Sequence, residues 1–159
     1  MNILKGDLIQ LAKAGYFDVI VHGCNCFCTM GAGIARQIQT HFPEAFEADL
    51  KTVPGDKAKL GTYSLARVHT RDHTLVIVNA YTQFHYSGSG TLVSYDAVRK
   101  IFSRLKVEFS GQKLAYPKIG AGLAKGNWEM ISAIINQELD GMDHTLVDYV
   151  KQTAADSRT

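Results

Sequence analysis

The chain has 159 residues, of which 46% are hydrophobic and 20% charged, and its formal net charge is +2. This length and composition predict one globular domain with a single core. The small net charge gives no support for a nucleic-acid-binding protein with a clustered basic face, and no apolar run reaches the length of a membrane span.

The first ten residues, MNILKGDLIQ, lack the basic and apolar regions of a secretory signal. Three cysteines, Cys24, Cys26 and Cys28, lie so close together that they cannot connect distant parts of a fold by disulfides. An odd, clustered set of cysteines is typical of a reducing compartment. We therefore expect a cytoplasmic monomer that does not cross a membrane.

Short apolar segments rich in β-branched residues are predicted to be strands. Helices are predicted between them from apolar residues at helical spacing and from capping residues. The predicted strands are Asn2–Leu4, Val19–Val21, Thr62–Val68, Thr74–Asn79, Lys113–Tyr116 and Thr145–Val150. The predicted helices are Leu8–Ala14, Ile34–Phe42, one from Tyr95 capped by Ser94, and one from Trp128 capped by Asn127. The alternation predicts one α/β domain over residues 1–150, with a parallel or mixed sheet and a polar tail at 151–159.

Glycine-containing loops follow three of these strands, at Gly23–Gly33, Gly88–Gly90 and Gly120–Gly126. In α/β sheets ligands bind where loops leave the carboxyl ends of strands. The first and third loops precede helices, whose free N–H groups attract anions. Neither loop matches the G-x-G-x-x-G dinucleotide motif or a P-loop. We therefore predict a cleft for a phosphate-bearing ligand.

The stretch from Val19 to Ile38, VIVHGCNCFCTMGAGIARQI, contains residue types that two other kinds of site use. A zinc site needs a second pair of ligands, which the spacing of cysteines and histidines does not supply. A cysteine-phosphatase loop, C-x5-R, needs an arginine six residues after the cysteine, whereas Arg36 follows Cys28 by eight. We therefore expect the cysteines to be packing residues, and no metal site.

Three motifs together resemble the macrodomain family of ADP-ribose-binding proteins: GDL at Gly6–Leu8, HGCNCFCTMGAGIA at His22–Ala35, and PKIGAGLAKGNWE at Pro117–Glu129. The resemblance covers nearly the whole chain. It implies a three-layer α/β/α sandwich with a mixed central sheet, forming a single macrodomain over 1–150. It also implies that the partner is ADP-ribose or a derivative, free or on ADP-ribosylated macromolecules, and that no cofactor is needed.

The resemblance implies a role for each matching residue. Asp7 would accept a hydrogen bond from the adenine amino group, Leu8 would add a backbone contact, and Asn25 would hold the distal ribose. Two backbone turns would enclose the diphosphate, formed by Gly31, Ala32, Gly33 and Ile34 and by Gly120, Ala121, Gly122, Leu123 and Ala124. Two structural alternatives stay open: Asp7 as a helix cap and Asn25 as the residue that holds its own turn.

The HGCNC sequence that begins at His22 resembles a branch of the family that contains ADP-ribose 1″-phosphate phosphatases and single-domain deacylating hydrolases. In the phosphatases this histidine is linked to activity, and the ordinary pKa of histidine suits proton transfer near neutral pH. We predict His22 and Asn25 as the catalytic residues. The alternative is a histidine that ends a buried strand and bonds to the backbone.

Other hydrolases of this branch use a lysine nucleophile and a loop aspartate. The segment Ala80–Gly90, where the lysine is expected, contains none, and Ala124 stands at the aspartate position. We therefore predict hydrolysis of ADP-ribose 1″-phosphate. A reader without turnover and a hydrolase of ADP-ribose esters are the alternatives. Gln83, with Tyr81, Phe84 and His85, is expected to line or cover the site, and Gly88 and Gly90 to let this segment move.

Overall fold

A computed structural model describes residues 1–70 and 72–150, and the predicted polar tail at 151–159 lies outside them. The strands are β1 Asn2–Gly6, β2 Val19–Cys24, β3 Tyr63–His69, β4 Thr74–Tyr81, β5 Leu114–Tyr116 and β6 His144–Tyr149. The α-helices are α1 Leu8–Lys13, α2 Gly33–His41, α3 Pro43–Leu50, α4 Tyr95–Glu108 and α5 Trp128–Glu138, and a 3-10 turn spans Lys57–Lys59. Every helix in the described part of the chain is too short or too polar to cross a bilayer.

The strands form one mixed sheet in the order β1-β6-β5-β2-β4-β3. All neighbouring strands run parallel except β3, which pairs antiparallel with β4. The predicted mixed sheet is therefore confirmed. The parallel arrangement places the carboxyl ends of β2, β4 and β5 at one edge of the sheet.

Helices cover both faces of the sheet, as predicted for a three-layer sandwich. Alternate residues of β2 point to opposite faces. Val19 and Val21 pack with α4 and α5, whereas Ile20 packs with α1, α2 and α3. The two cores therefore share the central strands, which are buried on both faces.

The six predicted strands and four predicted helices are present, and Ser94 and Asn127 cap α4 and α5 as predicted. Helix α3 and the 3-10 turn were not predicted. In α3 only Ala45 and Asp49 are buried, so its sequence carries little apolar periodicity. β2 also extends past Val21 to Cys24, because His22 is buried and pairs with Asn79 of β4.

A buried histidine–asparagine pair links β2 to β4 beneath the loops. The Asn79 amide donates from Nδ2 to the Ala45 carbonyl at 2.9 Å and to Ser64 Oγ at 3.0 Å. Its Oδ1 is therefore the acceptor for His22 Nε2, which lies 2.7 Å away. Burial lowers the pKa of His22 to about 4, an effect that the bond to Asn79 partly offsets. The imidazole is therefore neutral at physiological pH, with its proton on Nε2.

A buried lysine supports the loop that follows β2. Lys59 is 7% exposed, and its Nζ donates to the Cys26 carbonyl at 3.1 Å and to Cys28 Sγ at 3.5 Å. The same ammonium lies 4.6 Å from the ring centroid of Tyr81. The Tyr81 hydroxyl donates to Asp49 Oδ1 at 2.7 Å, and burial raises the pKa of Asp49. Residues from α3, the 3-10 turn and β4 thus fix the Cys26–Cys28 backbone.

The pKa of His22 predicts a pH dependence of stability. Between pH 6.5 and about 4 the unfolded chain binds a proton at this residue and the folded chain does not. The contribution of His22 to the free energy of unfolding should therefore be present above pH 6.5 and fall by about 1.4 kcal/mol per pH unit below it. Urea unfolding of the wild type and of His22→Gln, from pH 7.5 to 4, measures the difference in slope.

The buried His144, whose pKa is also lowered, titrates in both proteins and cancels from this comparison. Parallel stability curves for the two proteins would contradict a neutral, buried His22.

Candidate ligand-binding site

A cavity of about 510 Å³ lies at the carboxyl ends of β2, β4 and β5. Its volume is within the range of small-molecule sites in proteins. Four segments line it: the end of β2, the start of α2, the loop after β4 and the loop after β5. The lining residues are Gly23, Cys24, Asn25, Thr29, Gly31–Ala35, Gln83, Tyr86, Pro117–Gly120 and Gly122–Ala124.

The start of α2 forms one wall. The N-cap residue Ala32 has an extended backbone and offers no side chain to the first-turn N–H groups. Gly33 adopts a positive φ of 60°, which favours glycine. A Cβ at Gly31 would meet no atom within 4 Å, so this backbone faces open space. The free N–H groups and the positive end of the helix dipole suit an anion.

The loop after β5 forms the opposite wall. Gly120 has a φ of 73°, and a Cβ there would lie 2.7 Å from Val93 Cγ2. The Gly126 N–H donates to the Gly120 carbonyl at 2.6 Å and closes the loop. Leu123 reaches across the cavity, because its Cδ1 would lie 3.8 Å from a Cβ placed on Gly33. The two glycine turns therefore face each other, as a diphosphate site requires.

Asn25 lines the cavity and holds its own turn. Its Oδ1 accepts from the Phe27 N–H at 2.8 Å, and its Nδ2 donates to Thr29 Oγ1 at 2.7 Å and to the Thr29 carbonyl at 3.1 Å. The structural alternative for Asn25 is thus observed. A ligand that bonds this amide has to share it or replace a contact to Thr29.

Ten of the predicted site residues line the cavity: Asn25, Gly31, Ala32, Gly33, Ile34, Gln83, Gly120, Gly122, Leu123 and Ala124. Asp7, Leu8, His22 and Ala121 are not among the lining residues. Asp7 caps α1, with Oδ1 accepting from the Gln10 N–H at 3.1 Å, and Leu8 is the buried first residue of that helix. Both lie at the end of β1, at one edge of the sheet.

His22 lies behind the cavity wall. Its side chain is 1% exposed and is held by Asn79, whereas Gly23 and Cys24, which follow it in β2, line the cavity. The structural alternative, a histidine in a buried strand, is therefore observed, although its partner is a side-chain amide rather than the backbone. Tyr81, expected near the site, is also buried, and its hydroxyl bonds Asp49.

Several lining residues were not predicted. Gly23 lines the cavity, and a Cβ there would lie 2.8 Å from Thr82 Oγ1, so the close packing requires glycine. Tyr86 lines the cavity at the β4 side and directly follows His85, the last residue expected to line or cover the site. Apolar periodicity carries no information about loops, so it could not identify these two residues. Both would have been found if every residue of a loop after a central strand had been treated as a candidate.

The thiols are poorly suited to nucleophilic attack. Cys24 lines the cavity but is 4% exposed, and burial raises the pKa of its thiol. Burial also raises the pKa of Cys26 to about 11. Both thiols are therefore protonated at neutral pH. In the described residues no group of three His, Cys, Asp or Glu side chains is placed to hold a metal ion.

The charged groups of the cavity are few. Lys118 lies in the wall after β5 and is half exposed, with its Nζ 3.8 Å from Asp148 Oδ1. Across residues 1–70 and 72–150, no aspartate or glutamate lines the cavity. The surface thus offers backbone N–H groups, amide side chains and one ammonium, which is a chemistry for anions.

Comparisons with known proteins agree with this architecture. A family model described as "Macro domain" matches residues 21–135. An uncharacterized 17.5 kDa protein from the tk-vs intergenic region of Enterobacteria phage T4 is 40% identical and covers 94% of this chain and 96% of its own length. An ADP-ribose glycohydrolase, OARD1, from Bos taurus is 26% identical over 94% of this chain and 90% of its own length.

An ADP-ribose 1″-phosphate phosphatase from Candida albicans is also 26% identical, over 89% of this chain and 95% of its own length. Among solved structures, the macrodomain of Mycobacterium tuberculosis DarG superposes with a TM-score of 0.71 at 25% identity, covering 94% of this chain and 98% of that one. The resemblance predicted from the three motifs is confirmed: the chain belongs to the macrodomain family.

Proposed function

We propose that this protein binds ADP-ribose in the cavity and hydrolyses ADP-ribose 1″-phosphate to ADP-ribose and inorganic phosphate. The composition of the cavity wall carries the proposal. Among the described residues the wall combines the N–H groups of two glycine turns and Lys118 with no carboxylate. Such a wall favours a ligand with several phosphate groups.

In this proposal the ligand lies along the edge of the sheet. The diphosphate lies between the start of α2 and the loop after β5, and the distal ribose lies beside Asn25. The adenine extends toward Asp7 at the end of β1. Asp7 uses Oδ1 to cap α1, so its other oxygen is left for the adenine amino group.

The chemistry of phosphoryl transfer fits this wall better than glycosyl hydrolysis does. The transition state for phosphoryl transfer is loose, so catalysis depends on positioning and on stabilising charge. Ala124, at the position where related hydrolases place an aspartate, contributes only its carbonyl, which accepts from the Leu92 and Val93 N–H groups. Water attacks phosphorus, the bond to O1″ breaks, one water proton ends on O1″ and the other stays on phosphate.

His22 acts in this proposal as a positioning residue. It is neutral, buried and bonded to Asn79, so it holds the end of β2 and thereby the backbone that carries Asn25. Asn25 touches the distal ribose.

A reader of ADP-ribose without turnover is the second candidate. The Asn25 amide already has its partners within the turn, and none of the described lining residues is a carboxylate base. These two observations support the reader as the second candidate.

One experiment separates these functions. The protein is incubated with ADP-ribose 1″-phosphate, with ADP-ribosylated protein and with O-acetyl-ADP-ribose, and calorimetry measures ADP-ribose binding. We expect binding in the cavity and release of phosphate from the first substrate. Binding without product from any substrate would identify a reader, and release of ADP-ribose from protein would identify a glycohydrolase. No binding of ADP-ribose would refute the proposal.

The role of His22 is tested by His22→Gln. Loss of a general base lowers a rate by about 100- to 10,000-fold. Since Gln can still donate to Asn79, we expect phosphate release to stay within about tenfold of the wild type. A loss beyond 100-fold at unchanged melting temperature would instead make His22 the catalytic base.

Gly122→Val tests the position of the ligand. A Cβ at Gly122 meets no protein atom within 4 Å, so the valine fits the fold but occupies the cavity. We expect at least tenfold weaker ADP-ribose binding by calorimetry and an unchanged melting temperature. Ser110→Val, at an exposed position after α4, is the control and should bind as the wild type does. Equal affinities for the two variants would place the ligand elsewhere.

A further inference from the structure

A lysine and a cysteine lie in contact beneath the loop after β2. Lys59 Nζ is 3.5 Å from Cys28 Sγ, and the two residues are 7% and 8% exposed. Cys28 belongs to the loop, whereas Lys59 ends the 3-10 turn, so the pair joins segments that are 31 residues apart in the chain. Both residues lie outside the lining of the cavity, and the function proposed above uses neither side chain.

The surroundings of Cys28 hold its sulfur beside the amine. The residue adopts a positive φ of 57°, which is uncommon for a residue other than glycine. Its Sγ donates to the Asp49 carbonyl at 3.2 Å and lies 3.3 Å from Thr52 Oγ1. Because these contacts fix the sulfur, a covalent bond between Sγ and Nζ needs only a small movement of the flexible lysine side chain.

The other two cysteines are less suited to oxidation. Burial raises the pKa of Cys24, and it raises the pKa of Cys26 to about 11, which lowers the fraction of the reactive thiolate. Cys28 is the most exposed of the three, at 8% against 4% for Cys24 and 0% for Cys26. A small oxidant such as hydrogen peroxide therefore reaches Cys28 first.

A buried carboxylate completes the group. Asp49 is 1% exposed, and its Oδ2 has no hydrogen-bond partner within the part of the chain that the structure describes. Burial raises the pKa of Asp49, an effect that the bond from Tyr81 and the charge of Lys59 oppose. Oδ2 is therefore a buried acceptor for a proton of the Lys59 ammonium.

We propose that oxidation by peroxide joins Cys28 to Lys59 through a sulfur–nitrogen bond, a sulfenamide. Sγ attacks one peroxide oxygen, the O–O bond breaks, and the thiol proton leaves with the other oxygen as water. Cys28 is thereby oxidised to a sulfenic acid and the peroxide is reduced. One proton of Lys59 then passes to Asp49 Oδ2, Nζ attacks Sγ, and the S–O bond breaks. The hydroxyl leaves as water with a second Nζ proton, and one proton stays on the nitrogen.

The bond forms directly below the turn that carries Asn25. Asn25 precedes Cys26, whose carbonyl accepts from Lys59 Nζ at 3.1 Å in the reduced protein. Oxidation therefore replaces a turn supported by an ammonium with one closed by a covalent bond. A thiol reductant reverses the change, because this level of cysteine oxidation is reversible.

The test treats the full-length chain with hydrogen peroxide and measures masses, both intact and after tryptic digestion without reductant. We expect a loss of about 2 Da, since the new bond replaces two hydrogens, in a species that joins the peptides of Cys28 and Lys59. Dithiothreitol should restore the original mass. One tryptic peptide, residues 14–36, contains all three cysteines, so variants are needed to assign the sulfur.

Cys28→Ser should abolish the cross-link, and Cys26→Ser, its matched control in the same loop, should keep it. Lys59→Arg retains a positive charge, but a guanidinium stays protonated and cannot attack sulfur. Oxidation of this variant should therefore stop at a sulfenic acid on Cys28, which dimedone traps. Lys57→Arg, at an exposed position of the same 3-10 turn, is the control and should keep the cross-link.

A gain of about 16 or 32 Da on Cys28 of the wild type, with Lys59 unmodified, would overturn the inference. So would cysteines that stay unoxidised, or a cross-link that survives in Cys28→Ser. If Lys59→Arg does not fold, the wild-type masses and the cysteine variants still decide the question. The experiment contains no ADP-ribose, so its result is independent of the proposed function.

Discussion

β2 lies between β4 and β5 and runs parallel to both, with Val19 opposite Val76 on one side and Leu114 on the other. Because parallel neighbours end at the same edge, the chain leaves the sheet at Cys24, Tyr81 and Tyr116 into three adjacent loops. Residues far apart in sequence thus share one cavity. Each wall depends on this pairing, since the helix start at Gly33 and the turn at Gly120 face each other only while these strands stay in register.

Buried polar groups support the loop after β2 from below. Burying a polar group costs free energy unless the group is hydrogen-bonded. Lys59 meets this requirement by bonding the Cys26 carbonyl and by lying over the Tyr81 ring, while Tyr81 bonds Asp49. Cys28 adopts a positive φ of 57°, which is uncommon for a residue other than glycine. Lys59 therefore supports a strained backbone from below, through the Cys26 carbonyl and Cys28 Sγ, next to the Asn25 turn.

The features that depend on local sequence patterns and motifs could be predicted from the sequence. They are the strands, the four helices with strong apolar stripes, the caps at Ser94 and Asn127, and the glycine turns. It did not predict α3, whose few buried positions leave no periodic signal. It also missed the support that Lys59 gives to Cys26, because a contact across 33 residues has no local pattern. His22 shows the limit of prediction from local sequence. Its motif suggested a catalytic role, whereas its buried side chain bonds Asn79, which lies 57 residues away in the sequence.

The charges at the cavity wall connect the fold to the proposed reaction. A neutral ester needs a base to activate water, and among the described residues no carboxylate lines the wall to act as one. A phosphate ester brings its own charge to the N–H groups and to Lys118, and its loose transition state gains from the same contacts. Beyond Asn25, the aromatic rings of Phe27 and Tyr86 lie next to this surface. In the proposed complex, backbone N–H groups hold the phosphates at one end of the cavity, and Tyr86 lines the cavity at the β4 side.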